Sequence, residues 1–308
     1  MKKSLIALAV LAASGGAMAQ SSVTLYGLVD AGVAYTSTTT GGVKLSQPVV
    51  VGSGANNSRW GFRGTEDLGG GLKANFVLES GFTTDNGNSA SATQIFNRQA
   101  FVGLESAYGT VSLGRQYTAY FALFTATNNL YDTNLATTTS ALTGSVWGNG
   151  VGGGAVGGAV RASNSIAYAS PVFNGFSGAA VYGFGEDKDA FGRPTKASYN
   201  ASFHVKYANG PVLVGFAYDE QLPAAPAIPA LGREKIQNTL FAGSYDFGVA
   251  KLTGGFNLAK QDNSKDKEFQ LGVSAPIGAA ASVAAGYAYS KNEVGGVDAG
   301  KARGLSLL

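Results

Sequence analysis

Hydrophobic and polar positions alternate with period two along much of the chain. In SYNASFHVKY, Tyr199, Ala201, Phe203, Val205 and Tyr207 fall on one side and Ser198, Asn200, Ser202, His204 and Lys206 on the other, the division that successive side chains of an extended strand impose. EFQLGVS repeats it, with Phe269, Leu271 and Val273 against Glu268, Gln270, Gly272 and Ser274. So does KLTGGFNLA, with Leu252, Phe256 and Leu258 against Lys251, Thr253 and Asn257. Near the start, VTLYGLVDAGVAY reads as one strand whose oily side carries Val23, Leu25, Val29, Val33 and Tyr35. The pattern predicts sheets with one apolar and one wet face.

A β-sandwich alternates in the same way, so the connections must separate the possibilities. Tight links at Asp67–Gly71, Ser106–Gly109, Pro171–Gly175, Ala208–Pro211, Phe247–Val249 and Pro276–Ala280 alternate with longer polar links near residues 37–57, 83–94, 119–159, 186–195, 221–233, 262–267 and 293–300. One rim of short turns and one of long loops is the signature of a transmembrane antiparallel up-and-down β-barrel. In lipid, such a sheet closes on itself because an unpaired edge would leave backbone groups without partners. The count is thirteen strands plus the start of a fourteenth at Gly304–Leu308. Since single-chain bacterial barrels have even strand numbers, KARGLSLL reads as a strand with its continuation absent.

Composition narrows the class. The 308 residues include no cysteine, which excludes disulfide scaffolds and cysteine-based metal or redox centres. Lys2 and Lys3 precede an apolar run from Leu5 to Ala13 and the triplet Ala17, Met18, Ala19, so residues 1–19 are expected to be a removed secretory signal and residues 20–308 the barrel. No later apolar run is long enough for a transmembrane helix. After removal of Lys2 and Lys3, 20 of the 22 basic side chains face 19 acidic ones. That balance offers no attraction for nucleic acid, and any electrostatic function must come from where a few charges sit.

Several long segments together resemble a known family. SSVTLYGLVDAGVAY, SRWGFRGTEDLGGGLKANFVLESGF, FNRQAFVGLESAYGTVSLGRQY and RASNSIAYASPVFNGFSGAAVYGFGE are similar to the general porins of Gram-negative bacteria, most closely the beta-proteobacterial type, over essentially the whole mature chain. The resemblance implies an all-β barrel of the 16-stranded porin type, here lacking about the last two and a half strands at about 10 residues per strand. It also implies a homotrimer in outer-membrane lipid and lipopolysaccharide that passes small hydrophilic solutes and inorganic anions, without a cofactor or metal. The link 119–159 sits where the family folds its third external loop into the lumen as a constriction. Within that link Asp132 is the one acid.

The sharpest candidates are arginines. Arg59, Arg98 and Arg161 match family positions whose guanidinium groups line the narrow part of the pore. Alternation places Arg59 with Gly61 and Arg63, opposite Trp60 and Phe62, and Arg161 with Ser163 and Ser165, opposite Ile166 and Tyr168. Arg98 is less tidy, because its side also holds Ala100, Val102 and Leu104. Permanently charged guanidiniums along one wall favour anions where water is confined. With Asp132 facing Arg59, Arg63, Arg98 and Arg161, the expectation is net anion preference. Arg115, Lys73, Glu79, Asp30, Lys206 and Lys251 are secondary candidates.

Other classes fare worse. His204, the one histidine, lies mid-strand without an acid at useful spacing and reads as a wet wall residue rather than a catalytic base. GNGVGGG is followed by no Gly-Lys-Ser/Thr, so it is no phosphate loop. A surface adhesin or ligand-binding barrel with a blocked lumen is the alternative, and the arginine wall argues against it.

Overall fold

The computed structural model describes residues 22–40, 43–52, 56–127, 160–185, 198–222, 235–279 and 281–307. The expected signal segment, residues 1–19, lies outside them. The strands are β1 (Ser22–Leu28), β2 (Gly32–Thr40), β3 (Val43–Val51), β4 (Arg59–Gly69), β5 (Leu72–Gly81), β6 (Gln99–Ser106), β7 (Gly109–Tyr117), β8 (Arg161–Ala169), β9 (Phe176–Phe184), β10 (Tyr199–Asn209), β11 (Val212–Leu222), β12 (Ile236–Asp246), β13 (Lys251–Gln261), β14 (Ser264–Ile277), β15 (Ala281–Val294) and β16 (Val297–Leu307). A helix, α1 (Ala119–Thr127), follows β7.

Fourteen strands form one antiparallel sheet in the order β1-β4-β5-β6-β7-β8-β9-β10-β11-β12-β13-β14-β15-β16, the up-and-down order of a barrel wall. Among the described residues β1 and β16 are its two edges. The side chains are distributed inside out relative to a water-soluble protein. Outward positions such as Val102, Leu113, Phe241, Phe256 and Leu271 are 42% to 60% exposed, while Ser112, Ser202, Asp219, Asn238, Asn257 and Glu268 are at most 8% exposed on the other face. An apolar exterior around a polar interior is the arrangement that lipid demands. Aromatic contacts mark both interfaces: Phe176–Tyr207 and Tyr245–Phe247 beside the tight turns, Tyr182–Tyr199 toward the opposite rim.

Three connections differ from the sequence expectation. The opening segment is not one strand: it leaves the wall after Leu28, and β2 pairs with β3 in a separate two-stranded sheet. At the exit, Asp30 N donates to Ser58 Oγ, whose hydroxyl returns a bond to Asp30 O, and Thr84 Oγ1 also donates to Asp30 O. These bonds hold the chain away from the straight path that alternation suggests, and residues 43–51 of the expected loop 37–57 are β3. The expected long links 262–267 and 293–300 are instead two-residue hairpins at Asp262–Asn263 and Gly295–Gly296. Gly295 and Gly296 have φ of 59° and 81°, the doubly positive geometry of a tight hairpin turn. The charges in KDKE and DAGKAR read as loop, but these strands run past the apolar belt to where charge is tolerated. For the same reason the last strand begins at Val297, not near Gly304.

Candidate functional site

Helix α1 is the element that turns a wall into a site. Thr118 caps it, its Oγ1 accepting from Phe121 N at 3.1 Å, which satisfies one of the donors left over in a first helical turn. The sequence AYFALFTAT has no polar face, and six of its nine residues are buried. A helix apolar on all sides must be enclosed. It lies against the inner face of β10–β13, where Tyr120, Phe121, Leu123 and Phe124 cluster with Ala217, Leu240 and Ala242.

The wall is shaped to receive it. A Cβ on Gly215 would stand 2.6 Å from Leu123 Cδ1, so only glycine leaves that space. Polar bonds fix the helix: Tyr120 N donates to Ser202 Oγ at 2.7 Å, Tyr120 OH to Asn257 Oδ1 at 3.0 Å, and His204 Nδ1 meets Ala119 O at 2.7 Å. His204 is therefore not the solvated wall residue that alternation suggested. It is 6% exposed and anchors the helix. Residues 128–159, with Asp132, lie outside the described residues.

On another part of the inner face, β1 and β4 to β8 assemble the arginines around one carboxylate and two phenols. Glu79 on β5 is 4% exposed. Its Oε1 accepts from Arg98 Nε at 2.7 Å, its Oε2 accepts from Tyr26 OH at 3.0 Å, and Arg59 Nε stands 4.0 Å from Oε2. Arg98 Nη2 then donates to Tyr117 OH at 2.9 Å, and Arg161 Nη2 donates to the same oxygen at 3.4 Å. The Arg161 guanidinium also sits 4.9 Å from the Tyr117 ring centre, and Arg63 lies 5.4 Å from the Tyr26 ring. Arg59, Arg63, Arg98 and Arg161 thus belong to one chain of contacts, Arg63–Tyr26–Glu79–Arg98–Tyr117–Arg161, with Arg59 beside Glu79. Arg115 joins its margin by donating to Asn97 O at 2.8 Å and to Ser163 Oγ at 2.6 Å.

Sequence alternation could not have found the links of this chain. Arg98 precedes β6, so the phase that puts Val102 and Leu104 outside does not govern it. Between β7 and β8 the register shifts at Gly114/Gln116, and Asn164 takes φ 47°. Past that bulge Ala162 is buried beside Ala119 and Val181, and Arg161 faces Tyr117 across the ladder. The grouping of Arg161 with Ser163 and Ser165 as one uninterrupted face does not hold. Tyr117 was missed because it has the phase of the outward residues Val111 and Leu113. Glu79 ranked only as secondary because nothing local marks a carboxylate as shared. Asp30 serves the chain reversal described above rather than this network.

A sheet with an apolar exterior, a polar interior and a connecting helix folded against its inner face defines a membrane β-barrel of the outer-membrane channel type. The chain belongs to the Gram-negative porin family, whose model matches residues 5–307. It is 41% identical over 293 residues to "Outer membrane porin protein 32" of Delftia acidovorans, covering 94% of this chain and 80% of that protein. It is 33% identical to an outer membrane porin protein of Bordetella pertussis, covering 92% of this chain and 83% of that protein. Among solved structures it matches one described as "Anion-selective porin from Comamonas acidovorans" with a TM-score of 0.75 and 31% identity, over 94% of this chain and 83% of that one. The protein is an outer-membrane porin.

Proposed function

We propose that the protein is a passive diffusion channel for small hydrophilic solutes and inorganic ions, that it prefers anions, and that it works as a homotrimer surrounded by outer-membrane lipid and lipopolysaccharide. The observation that carries the reading is the joining of Arg98 and Arg161 through Tyr117, immediately before the chain enters α1. Arg59, Arg63, Arg98 and Arg161 supply fixed cations beside the segment that narrows the lumen, and Glu79 offsets only part of their charge. Asp132, in the segment 128–159, completes the proposed constriction from the loop side. The anion-selective character of the Comamonas structure favours the same sign of preference here.

The mechanism needs no chemical step. Guanidiniums remain protonated at any physiological pH, and a confined channel screens them less than bulk water would, so an anion crossing the narrow zone exchanges part of its hydration for arginine donors. Several sites of moderate strength allow both entry and exit. In planar bilayers the protein is expected to give stepwise ohmic conductance that shrinks when neutral polymers small enough to enter are added. Insertion without conductance steps would exclude the channel reading and favour a barrel with a blocked lumen.

A further inference from the structure

Tyr117 stands where the chain leaves the wall for α1. It is the last residue of β7 and pairs in register with Arg161, the first residue of β8, and Thr118 N donates to Val160 O at 3.1 Å to close the neck between the two strands. On the α1 side its ring lies 4.9 Å from that of Phe121, tilted by 33°. Wall, helix and the Arg161 guanidinium, 4.9 Å from the ring centre, together fix the direction of the hydroxyl.

What that hydroxyl presents follows from a count of donors. Arg98 Nη2 and Arg161 Nη2 both donate to the phenol oxygen, at 2.9 Å and 3.4 Å. A guanidinium has donors and no acceptor, so neither arginine can receive the phenol hydrogen, which must point away from both. Among the described residues it meets no acceptor. Tyr26 and Tyr120, also inside the wall, differ: the first donates to Glu79 Oε2 at 3.0 Å and the second to Asn257 Oδ1 at 3.0 Å. Their hydrogens are spent on the protein itself.

Exposure decides which of these groups an ion can touch. Arg98 is 8% exposed, and its Nε is committed to Glu79 at 2.7 Å. Tyr117 and Arg161 are only half-buried. The buried Arg98 thus acts on the open side through the phenol, because its donation polarises the O–H and consecutive hydrogen bonds strengthen one another.

We propose that Tyr117 is a specificity-determining residue of the channel, whose hydroxyl donates to one oxygen of a passing oxyanion while the Arg161 guanidinium meets a second. The proposal rests on the anion-channel reading and adds to it a choice among anions, made by hydrogen-bond geometry. Charge by itself favours no anion over another of equal charge. Two fixed donors side by side suit an ion with two acceptor oxygens, whereas a halide offers a single centre that the phenol and the guanidinium must share. Since the ring is held in place before the ion arrives, little ordering is needed on contact.

The test is the reversal potential of the full chain in planar bilayers with potassium formate on one side and potassium chloride on the other. Tyr117→Phe keeps the ring and loses the hydroxyl, so the formate-to-chloride permeability ratio is expected to fall by up to about 10-fold, the worth of one hydrogen bond to a charged partner. In a potassium chloride gradient the same variant is expected to keep the sign of anion preference, because the four arginines remain. A wild type without anion preference in that gradient would remove the channel reading on which this rests. An anion-preferring wild type whose formate-to-chloride ratio equals that of Tyr117→Phe would overturn the Tyr117 proposal alone. So would loss of anion preference together with the ratio, since the tyrosine would then act only by holding the arginines. A fluorinated tyrosine at position 117 gives a gain that misfolding cannot imitate: its phenol is a stronger donor while protonated and no donor once ionised. Its ratio should exceed the wild-type value at low pH and drop below it as pH rises through the ionisation of the fluorophenol. A ratio indifferent to fluorination and to pH would overturn the proposal.

Discussion

The inner face has two sides that obey the same alternation and use it differently. Over β10–β13 the inward positions are small, amide or acidic, with Gly215, Ala217, Asn238, Asn257 and Ala242, and the space above them is filled by α1. Over β4–β8 the inner face also carries long charged side chains, Arg59, Arg63, Arg98 and Arg161, and these meet across strands around Tyr26, Glu79 and Tyr117. One side holds a plug in place. The other gathers four arginines into one chain of contacts. The selectivity proposed above would rest on an asymmetric wall, because a ring of arginines on all sides would leave no surface on which the helix could dock.

The asymmetry extends to the acids. Asp219, Asp266 and Glu268 lie on the helix side, where Asp219 accepts from Asn200 Nδ2 at 2.8 Å, Glu268 from Asn257 Nδ2 at 2.8 Å and Asp266 from Ser290 Oγ at 2.5 Å. They are at most 3% exposed, so they offer almost no accessible acid, whereas Arg63 is exposed.

Breaking the shared carboxylate should have the largest effect on stability. In Glu79→Ala, Arg98 and Tyr26 lose a common buried partner, and removing one member of such a pair costs about 3–5 kcal/mol, to be read as a lower midpoint for unfolding from detergent by urea. Anion preference should rise in the same variant, since one negative charge leaves the cationic side. A smaller loss is expected from Gly215→Val, which drives a side chain into the place of Leu123 at an overpacking cost of about 1–3 kcal/mol. Single-channel conductance should increase there as α1 is displaced, and an unchanged conductance would detach the helix from the constriction. His204→Ala is expected to cost about 1 kcal/mol, the worth of one hydrogen bond to Ala119 O, with conductance noise increasing more than its mean.

Much of this was legible in the sequence, and the boundary has a physical cause. Period-two alternation is a property of single strands, so the outward rows led by Phe203, Phe256 and Phe269 and the inward rows led by Asn200 and Ser202 could be read directly. The tight turns from Asp67–Gly71 to Phe247–Val249 carried their own glycine and proline signals. What escaped depends on contacts between distant segments. Asp30 breaks the first strand through bonds to Ser58 and Thr84, the bulge opposite Asn164 inverts the phase of Arg161, and AYFALF reads as loop until small residues from β11 and β12 are placed beneath it. Arg59 and Arg63 could be assigned to the inner face from alternation alone. The partnership of Arg98 with Glu79, and of both Arg98 and Arg161 with Tyr117, could not.

The central claim is that this cationic side sets the sign of selectivity, and zero-current reversal potential across a planar bilayer under a roughly tenfold salt gradient tests it most directly. For the wild-type chain the potential should carry the sign of anion preference and grow at low salt, as the Debye length lengthens from about 8 Å toward about 30 Å. In the variant R98E/R161E, which changes the local charge by four units without touching the outer belt, the potential should fall to near zero or reverse, while Lys206→Glu, away from the network, should shift it far less. A reversal potential in R98E/R161E equal to that of the wild type would contradict the account.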